Sequence, residues 1–276
     1  MLDQETNNAG GAVLIGPNDP SPFEVVNGDG RSQVVICADH ASNIIPEGLN
    51  GLGLPPEELD RHIAIDIGAA DVARRLAVLF DAPAILAGYS RLVIDCNRPL
   101  DDHTSVRVIS DGTVIPGNRR LSPMQLDARA DAFFRPYHQA ISDAIEARQV
   151  DARCPVVISV HSYTGEMNGT ARPWHLGVLS SWDRRIADPL LEGLQSSGGV
   201  SIGDNKPYSG RELFGYSIET HALPAGLPNV LLEFRQDQVD TAAKAEDWAN
   251  RVGAVLKPIL DDPDVHVPYQ GEKEIA

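Results

Sequence analysis

The stretch Val34-Val35-Ile36-Cys37-Ala38-Asp39-His40 decides the fold of this 276-residue chain. Five consecutive apolar residues led by β-branched side chains, then polar residues and a proline loop, read as a strand buried on both faces. The same pattern recurs twice: Pro155-Val156-Val157-Ile158-Ser159-Val160 runs into His161, and Pro228-Asn229-Val230-Leu231-Leu232 runs into Glu233. Buried strands alternating with amphipathic helices make a helix-covered, mostly parallel sheet, and in such sheets ligands collect at the carboxyl ends of the strands. Neutral imidazole is the commonest protein ligand for a catalytic transition metal, and a carboxylate beside it can act as a general base. Two imidazoles and a glutamate at three strand ends therefore point to metal-assisted hydrolysis.

The segments between these runs complete the α/β pattern. Val72, Leu76, Leu79 and Phe80 share one helical stripe, and short strands are expected at Ala84–Ala87 and Leu92–Cys96. Ser122-Pro123-Met124-Gln125 is a capping box with proline at the first helical position, predicting a helix to about Arg148. A strand is expected at 176–180, and Asp183 is placed to cap a helix carrying Ile186, Leu190, Leu191 and Leu194. Residues 198–228 read as long loops, and a last helix is expected from Asp240, with Ala243, Trp248, Val252, Val255 and Leu256 periodic. The Gly-, Asn- and Pro-rich residues 1–30 read as a flexible surface arm, 31–262 as one domain, and 263–276 as a polar, frayed tail.

Composition removes several function classes. A net charge of -16 repels phosphate backbones and anionic membranes, and 5% aromatic residues is too few for base-stacking platforms. Neither nucleic acid nor a membrane is expected as a partner. No apolar stretch approaches the roughly 18–20 residues of a membrane span. The acidic start Met1-Leu2-Asp3-Gln4-Glu5 is unlike a secretory signal. Cys37, Cys96 and Cys154 lie in or beside apolar runs and read as buried, reduced thiols of a cytoplasmic protein. No Gly-x-Ser-x-Gly elbow, His-Glu-x-x-His motif or phosphate-binding Gly-Lys loop occurs.

The residues at the expected sheet edge each carry a plainer alternative. His40 and His161 are the candidate ligands, with Asp39 placed to orient the His40 ring. The third ligand is Asp66, which alternatively caps the first long helix, or Asn43, a poor zinc ligand because it offers only an amide. Glu233 is expensive to bury unless it is functional or paired, and Arg235 is the available partner. Arg91 and Arg98 bracket the run 92–96. A guanidinium fork suits a substrate carboxylate or a polarised carbonyl as well as it suits a surface ion pair.

The order of motifs resembles the N-formylglutamate amidohydrolase family. The matching pieces are Ala38-Asp39-His40-Ala41-Ser42-Asn43, Asp66-Ile67-Gly68-Ala69, Ser90-Arg91 through Asn97-Arg98-Pro99, Tyr137-His138, Val160-His161-Ser162-Tyr163, Asn205-Lys206-Pro207-Tyr208-Ser209-Gly210 and Leu232-Glu233-Phe234-Arg235. The resemblance implies a three-layer α/β sandwich of the zinc carboxypeptidase type with a mixed central sheet. It also implies hydrolysis of the amide of a small anionic N-acyl amino acid such as N-formylglutamate. By motif, His40, Asp66 and His161 would hold one Zn2+ or another divalent transition metal, Glu233 would be the base, and Arg98 would stabilise the oxyanion. Arg91, Asn97 and Tyr208, with His138 and His221 as lesser candidates, would bind substrate. Asn43 stands where the carboxypeptidases have a ligating Glu, and the turn after His40 also departs from their pattern. Two other readings stay open: a metal-dependent peptidase or cell-wall amidase, and a non-catalytic binding protein on the same fold.

Overall fold

The computed structural model describes residues 14–149, 153–212 and 215–271. Seven strands form the main sheet: β1 (Phe23–Val26), β2 (Val34–Ala38), β3 (Ala84–Ala87), β4 (Val156–Tyr163), β5 (Leu176–Leu179), β6 (Ile202–Asp204) and β7 (Asn229–Arg235). Their spatial order is β1-β3-β2-β4-β7-β5-β6. β3, β2, β4 and β7 run parallel, while β1 and β5 pair antiparallel with β3 and β7. The three runs singled out by sequence are thus adjacent central strands, apolar on both sides because helices cover both sides.

One face carries Ile36, Ile158, Val160, Leu232 and Phe234. It packs against α1 (Ala69–Phe80), α3 (Ala187–Ser196) and α5 (Ala242–Leu260). The other face carries Val35, Cys37 and Val157 under a long helical segment, α2, which has a π-turn in its middle (Pro123–Arg129, Ala130–Phe134, Arg135–Glu146). The short α4 (Ser217–His221) packs on that face too. The expected capping box opens α2: Ser122 Oγ accepts from Gln125 N–H, and Gln125 Oε1 accepts from Ser122 N–H. All three cysteines are free and buried.

Several local expectations are corrected. Leu92–Cys96 is not a strand but a succession of turns, and Leu92, Val93 and Ile94 fill a separate core with Leu52, Ile115 and Phe133. Its carbonyls are satisfied from outside the sheet. Asn118 Nδ2 donates to Leu92 O, and the buried Arg129, held down to about 10 by burial, donates to Val93 O. Asp66 does not cap α1. Gly68 occupies that position at φ +78°, where a Cβ would lie 2.0 Å from Val239 O, so the chain turns there and Asp66 is aimed back into the protein. Asp183 pairs with Arg185, and α3 starts from Ile186 instead.

Phe23–Val26, assigned to the arm, is an edge strand, and β6 and α4 occur within the expected loop region. His266, assigned to the tail, is buried between the Leu260 and Cys154 carbonyls. The remainder of the arm call at residues 1–13, and of the tail call at 272–276, lies outside the described residues.

Candidate active site

His40 follows β2 by two residues, whereas His161 and Glu233 lie inside β4 and β7, short of the strand ends. The two strands are paired in register, His161 opposite Glu233, so both side chains leave the sheet on the same face. That face is the α2 side. The His40 and His161 ring centroids are 5.0 Å apart. Between them lies Asp66, whose Oδ2 is 3.2 Å from His40 Nδ1 and 2.9 Å from His161 Nδ1. The candidate ligand atoms of His40, Asp66 and His161 all lie within 4.8 Å of one another, and all three residues are buried.

Each imidazole is held from behind by its own acid. His40 Nε2 lies 2.7 Å from Asp95 Oδ1, and His161 Nε2 lies 3.0 Å from Asp39 Oδ2. Asp39 therefore orients His161, not the neighbouring His40. Its other oxygen accepts from Tyr137 Oη at 2.8 Å and Ser217 Oγ at 2.5 Å. Asp95 is the residue that sequence reading missed. A buried acid inside the apolar run Ile94-Asp95-Cys96 was its only signal.

Arg91 reaches the site but spends its fork internally, with Nε and Nη2 on Asp95 and Nη1 on Asp66. Burial alone would push Asp95 up and Arg91 down; their mutual attraction reverses both shifts. Burial would also raise Asp39, yet the His161 hydrogen bond and the nearby imidazoles bring it to about 2. His161 is opposed by burial and carried well above its ordinary value by its hydrogen bonds to the Asp39 and Asp66 carboxylates.

This donor set fits a divalent cation. When each Nε2 donates to its carboxylate, both Nδ1 lone pairs and Asp66 Oδ2 converge on one small volume. Three buried carboxylates (Asp39, Asp66, Asp95) against one guanidinium (Arg91) leave the cluster with surplus negative charge even when His161 is protonated. Such a charge is costly in a low-dielectric interior unless a cation compensates it. Imidazole with carboxylate, backed by outer carboxylates on the far nitrogens, is the donor chemistry of catalytic zinc sites. Asn43 is no part of it: its amide donates to Leu59 O and Asp60 Oδ1.

Glu233 is different in kind. It is 8% exposed, and its Oε2 has no hydrogen-bond partner. Arg235 pairs with Asp237 instead of with Glu233. Burial, reinforced by the Asp66 charge and only partly offset by His161, holds Glu233 at about 7. A carboxyl poised near neutrality and free on one oxygen is suited to taking and returning a proton.

The remaining sequence candidates divide. Arg98 donates to Asn97 O and forms no ion pair among the described residues. Asn97 is committed to the fold: Oδ1 accepts from Tyr216 and Ser217 N–H at the start of α4, and Nδ2 faces His161 Nε2 at 3.5 Å. His138 and His221 bond each other at 2.9 Å, and the far nitrogen of His138 donates to Cys96 O. Asn97, Arg91, His138 and His221 thus each have partners within the protein. Tyr208 is 42% exposed; burial of its hydroxyl, with the charges of Glu233 and Asp66, raises its pKa. Two surface concavities, one containing Arg184 and Asp204 and the other Arg31 and Asp261, share no residue with this cluster.

A family model described as N-formylglutamate amidohydrolase matches residues 32–239. A gene product of Agrobacterium tumefaciens of known crystal structure is 32% identical, with a TM-score of 0.85 over 90% of this chain and 98% of that one. The N-formylglutamate amidohydrolase of Ralstonia eutropha JMP134 shares the fold at 16% identity, with a TM-score of 0.67 over 89% of this chain and 99% of that one. No match was found among curated protein sequences.

Proposed function

The chain belongs to the N-formylglutamate amidohydrolase family, and on that premise we propose that it is a metal-dependent hydrolase of small N-acyl amino acids such as N-formylglutamate. The observation that carries this reading is Glu233, an unpartnered buried carboxyl facing the same volume as His161 and Asp66. His40, Asp66 and His161 are the residues that would hold the metal. A bound divalent ion such as Zn2+ would supply Lewis acidity, polarising a carbonyl and making water more acidic.

The protein's own groups account for the rest. Glu233 takes a proton from the attacking water and returns it to the departing amine nitrogen, so one carboxyl serves as base and then acid. Asp95 and Asp39 hold the Nε2 side of the two imidazoles, which would leave each Nδ1 to act as the ligand atom once a metal is held. Arg91 balances part of the acidic charge without leaving its carboxylate partners. Arg98, free of an ion pair among the described residues, is the proposed donor to the acyl oxygen as it gains negative charge, a role worth about 3 kcal/mol.

Asp66 between the two imidazoles supports the metal-dependent reading over a non-catalytic binding protein on the same fold. Three unpaired cysteines and an acidic surface suit the cytoplasmic setting expected from sequence. Among the described residues, no helix is long and apolar enough to cross a membrane.

The test is Glu233→Gln, which keeps shape and removes the base. Zinc content is expected to match the parent protein, while turnover of N-formylglutamate drops by about 10²- to 10⁴-fold. Undiminished turnover would remove Glu233 from the reaction. A parent protein that cleaves no N-formyl, N-acetyl or peptide amide with zinc or cobalt added would end the hydrolase reading.

A further inference from the structure

Three Asn-Gly pairs punctuate the chain, at 27–28, 50–51 and 168–169. All three asparagines have left-handed backbones, with φ of 51°, 47° and 51°. In each, the following glycine has no side chain to shield its nitrogen from the neighbouring amide carbon. Their local chemistry is therefore alike, and the fold decides which pair reacts first.

Asn168 and Gly169 form the two-residue loop of a small hairpin, in which Glu166 and Met167 pair with Ala171 and Thr170. Gly169 is left-handed too, at φ +74°, which gives the loop the φ signs of a type I′ turn. Type II′, the other two-residue hairpin turn, is reached by rotating only the peptide between the two residues. The first φ stays near +60° while its ψ swings to about −120°. At that ψ the Asn168 Cβ eclipses the Gly169 nitrogen, so the nitrogen meets side-chain Cγ as in a five-membered ring. Nothing resists the rotation. A Cβ on Gly169 would meet no atom within 4 Å, residues 168–171 are exposed, and no hydrogen bond holds the Asn168 amide among the described residues.

The other two pairs are restrained. Asn27 Nδ2 donates to Ala77 O at 3.4 Å and Ala82 O at 3.2 Å. Asn27 O accepts from Gly30 N–H at 2.9 Å, a bond that turning the 27–28 peptide breaks. The Asn50 amide is free among the described residues, but Gly51 and Leu52 continue the left-handed turn at φ 60° and 55°. Leu52 is 1% exposed, so rotating the 50–51 peptide pulls on a core side chain.

From these geometries we propose that Asn168 is a self-modification site, converted to aspartate and isoaspartate ahead of Asn50 and further ahead of Asn27. The Gly169 nitrogen attacks Asn168 Cγ and forms a C–N bond. The bond from Cγ to the side-chain nitrogen breaks, and ammonia leaves with the proton shed by Gly169. Water then opens the succinimide: cleavage at Cγ gives aspartate, cleavage at the main-chain carbonyl gives isoaspartate. Either product adds a negative charge. Isoaspartate also routes the main chain through Cβ, lengthening by one carbon a loop whose length sets the Met167–Thr170 register. The contact of Arg172 Nη2 with Met167 Sδ, at 3.0 Å, depends on that register. The inference stands independently of the hydrolase reading.

The experiment incubates the full chain at mildly alkaline pH, folded and in urea, and follows the three sites by peptide mapping with mass spectrometry. Dividing each folded rate by its urea rate isolates the effect of the fold. The ratio should be near unity at Asn168, where an exposed hairpin opens readily, several-fold lower at Asn50 and lowest at Asn27. Enzymatic methylation of isoaspartate should label the Asn168 peptide first. Asn168→Gln, at an exposed position, should remove the first acidic species seen on ion exchange. A ratio at Asn168 no higher than at Asn50 or Asn27 overturns the assignment, as does an Asn168→Gln protein that gains the same acidic species at the same rate.

Discussion

Two histidine pairs lie on the same side of the sheet, all buried but the half-buried His221, and they behave in opposite ways. His40 and His161 have ring centroids 5.0 Å apart, His138 and His221 5.2 Å apart. Burial disfavours the charged form of His161, His138 and His221. At His161 the hydrogen bonds of Asp39 and Asp66 override it and carry the pKa well up. At His138 burial prevails, and even with the distant pull of Asp39 the pKa falls to about 4. His221 is lowered by burial as well. Proximity of two imidazoles therefore does not make a metal site. A carboxylate shared between them, with a second acid behind each ring, supplies a donor set that could hold one.

The comparison can be broken most directly by removing one ring from each pair. His161→Ala is expected to abolish both zinc retention and hydrolysis, whereas His138→Gln should leave metal content and kcat/KM within a few-fold of the parent. Metal analysis and steady-state rates on the two proteins decide it; zinc lost from the His138 variant would erase the distinction. A smaller effect is expected behind the rings. Asp95→Asn leaves His40 in place but weakens the partner of its Nε2, predicting a loss of metal affinity of about 10- to 100-fold, measured by chelator competition. Unaltered affinity would show that the outer carboxylate does not tune the ligand.

The smallest effect is on stability and concerns pH. His138 has a folded-state pKa of about 4, below its ordinary 6.5, so between those values the unfolded chain binds a proton that the folded chain does not. Its contribution is complete above pH 6.5 and is lost on acidification towards 4, by at most about 3 kcal/mol. Urea unfolding of metal-free protein at pH 7.5 and 4.5 should show His138→Gln losing less stability than the parent. His161 has the opposite sign in the metal-free protein: its raised pKa gives stability that is present in acid and lost as pH rises through the folded-state value. Equal losses in parent and variant would mean that His138 is not held neutral by the fold.

The comparison also marks the limits of reading residues along a chain. The strands carrying His40, His161 and Glu233 were legible because five- to seven-residue apolar runs, flanked by proline and polar turns, have few other ways to be buried. The run Leu92–Cys96 looked the same and folded as turns, since burial is visible in composition but backbone pairing is not. Asp39 was seen, then given to the wrong ring. Consecutive side chains diverge, so the acid beside His40 in sequence reaches His161 across 122 positions instead. Asp95, 55 positions from His40, had no local signature of its role.

By itself, then, the amino-acid order determined the α/β class, the three central strands and the identity of the acid–imidazole chemistry, because hydrophobic periodicity and side-chain functional groups are properties of short stretches. Which oxygen faces which nitrogen, which arginine is spent and which stays free, and why Glu233 remains unpartnered were decided only by tertiary packing. These depend on charges a few ångströms apart in space and tens of residues apart in sequence, where low dielectric makes each pairing count.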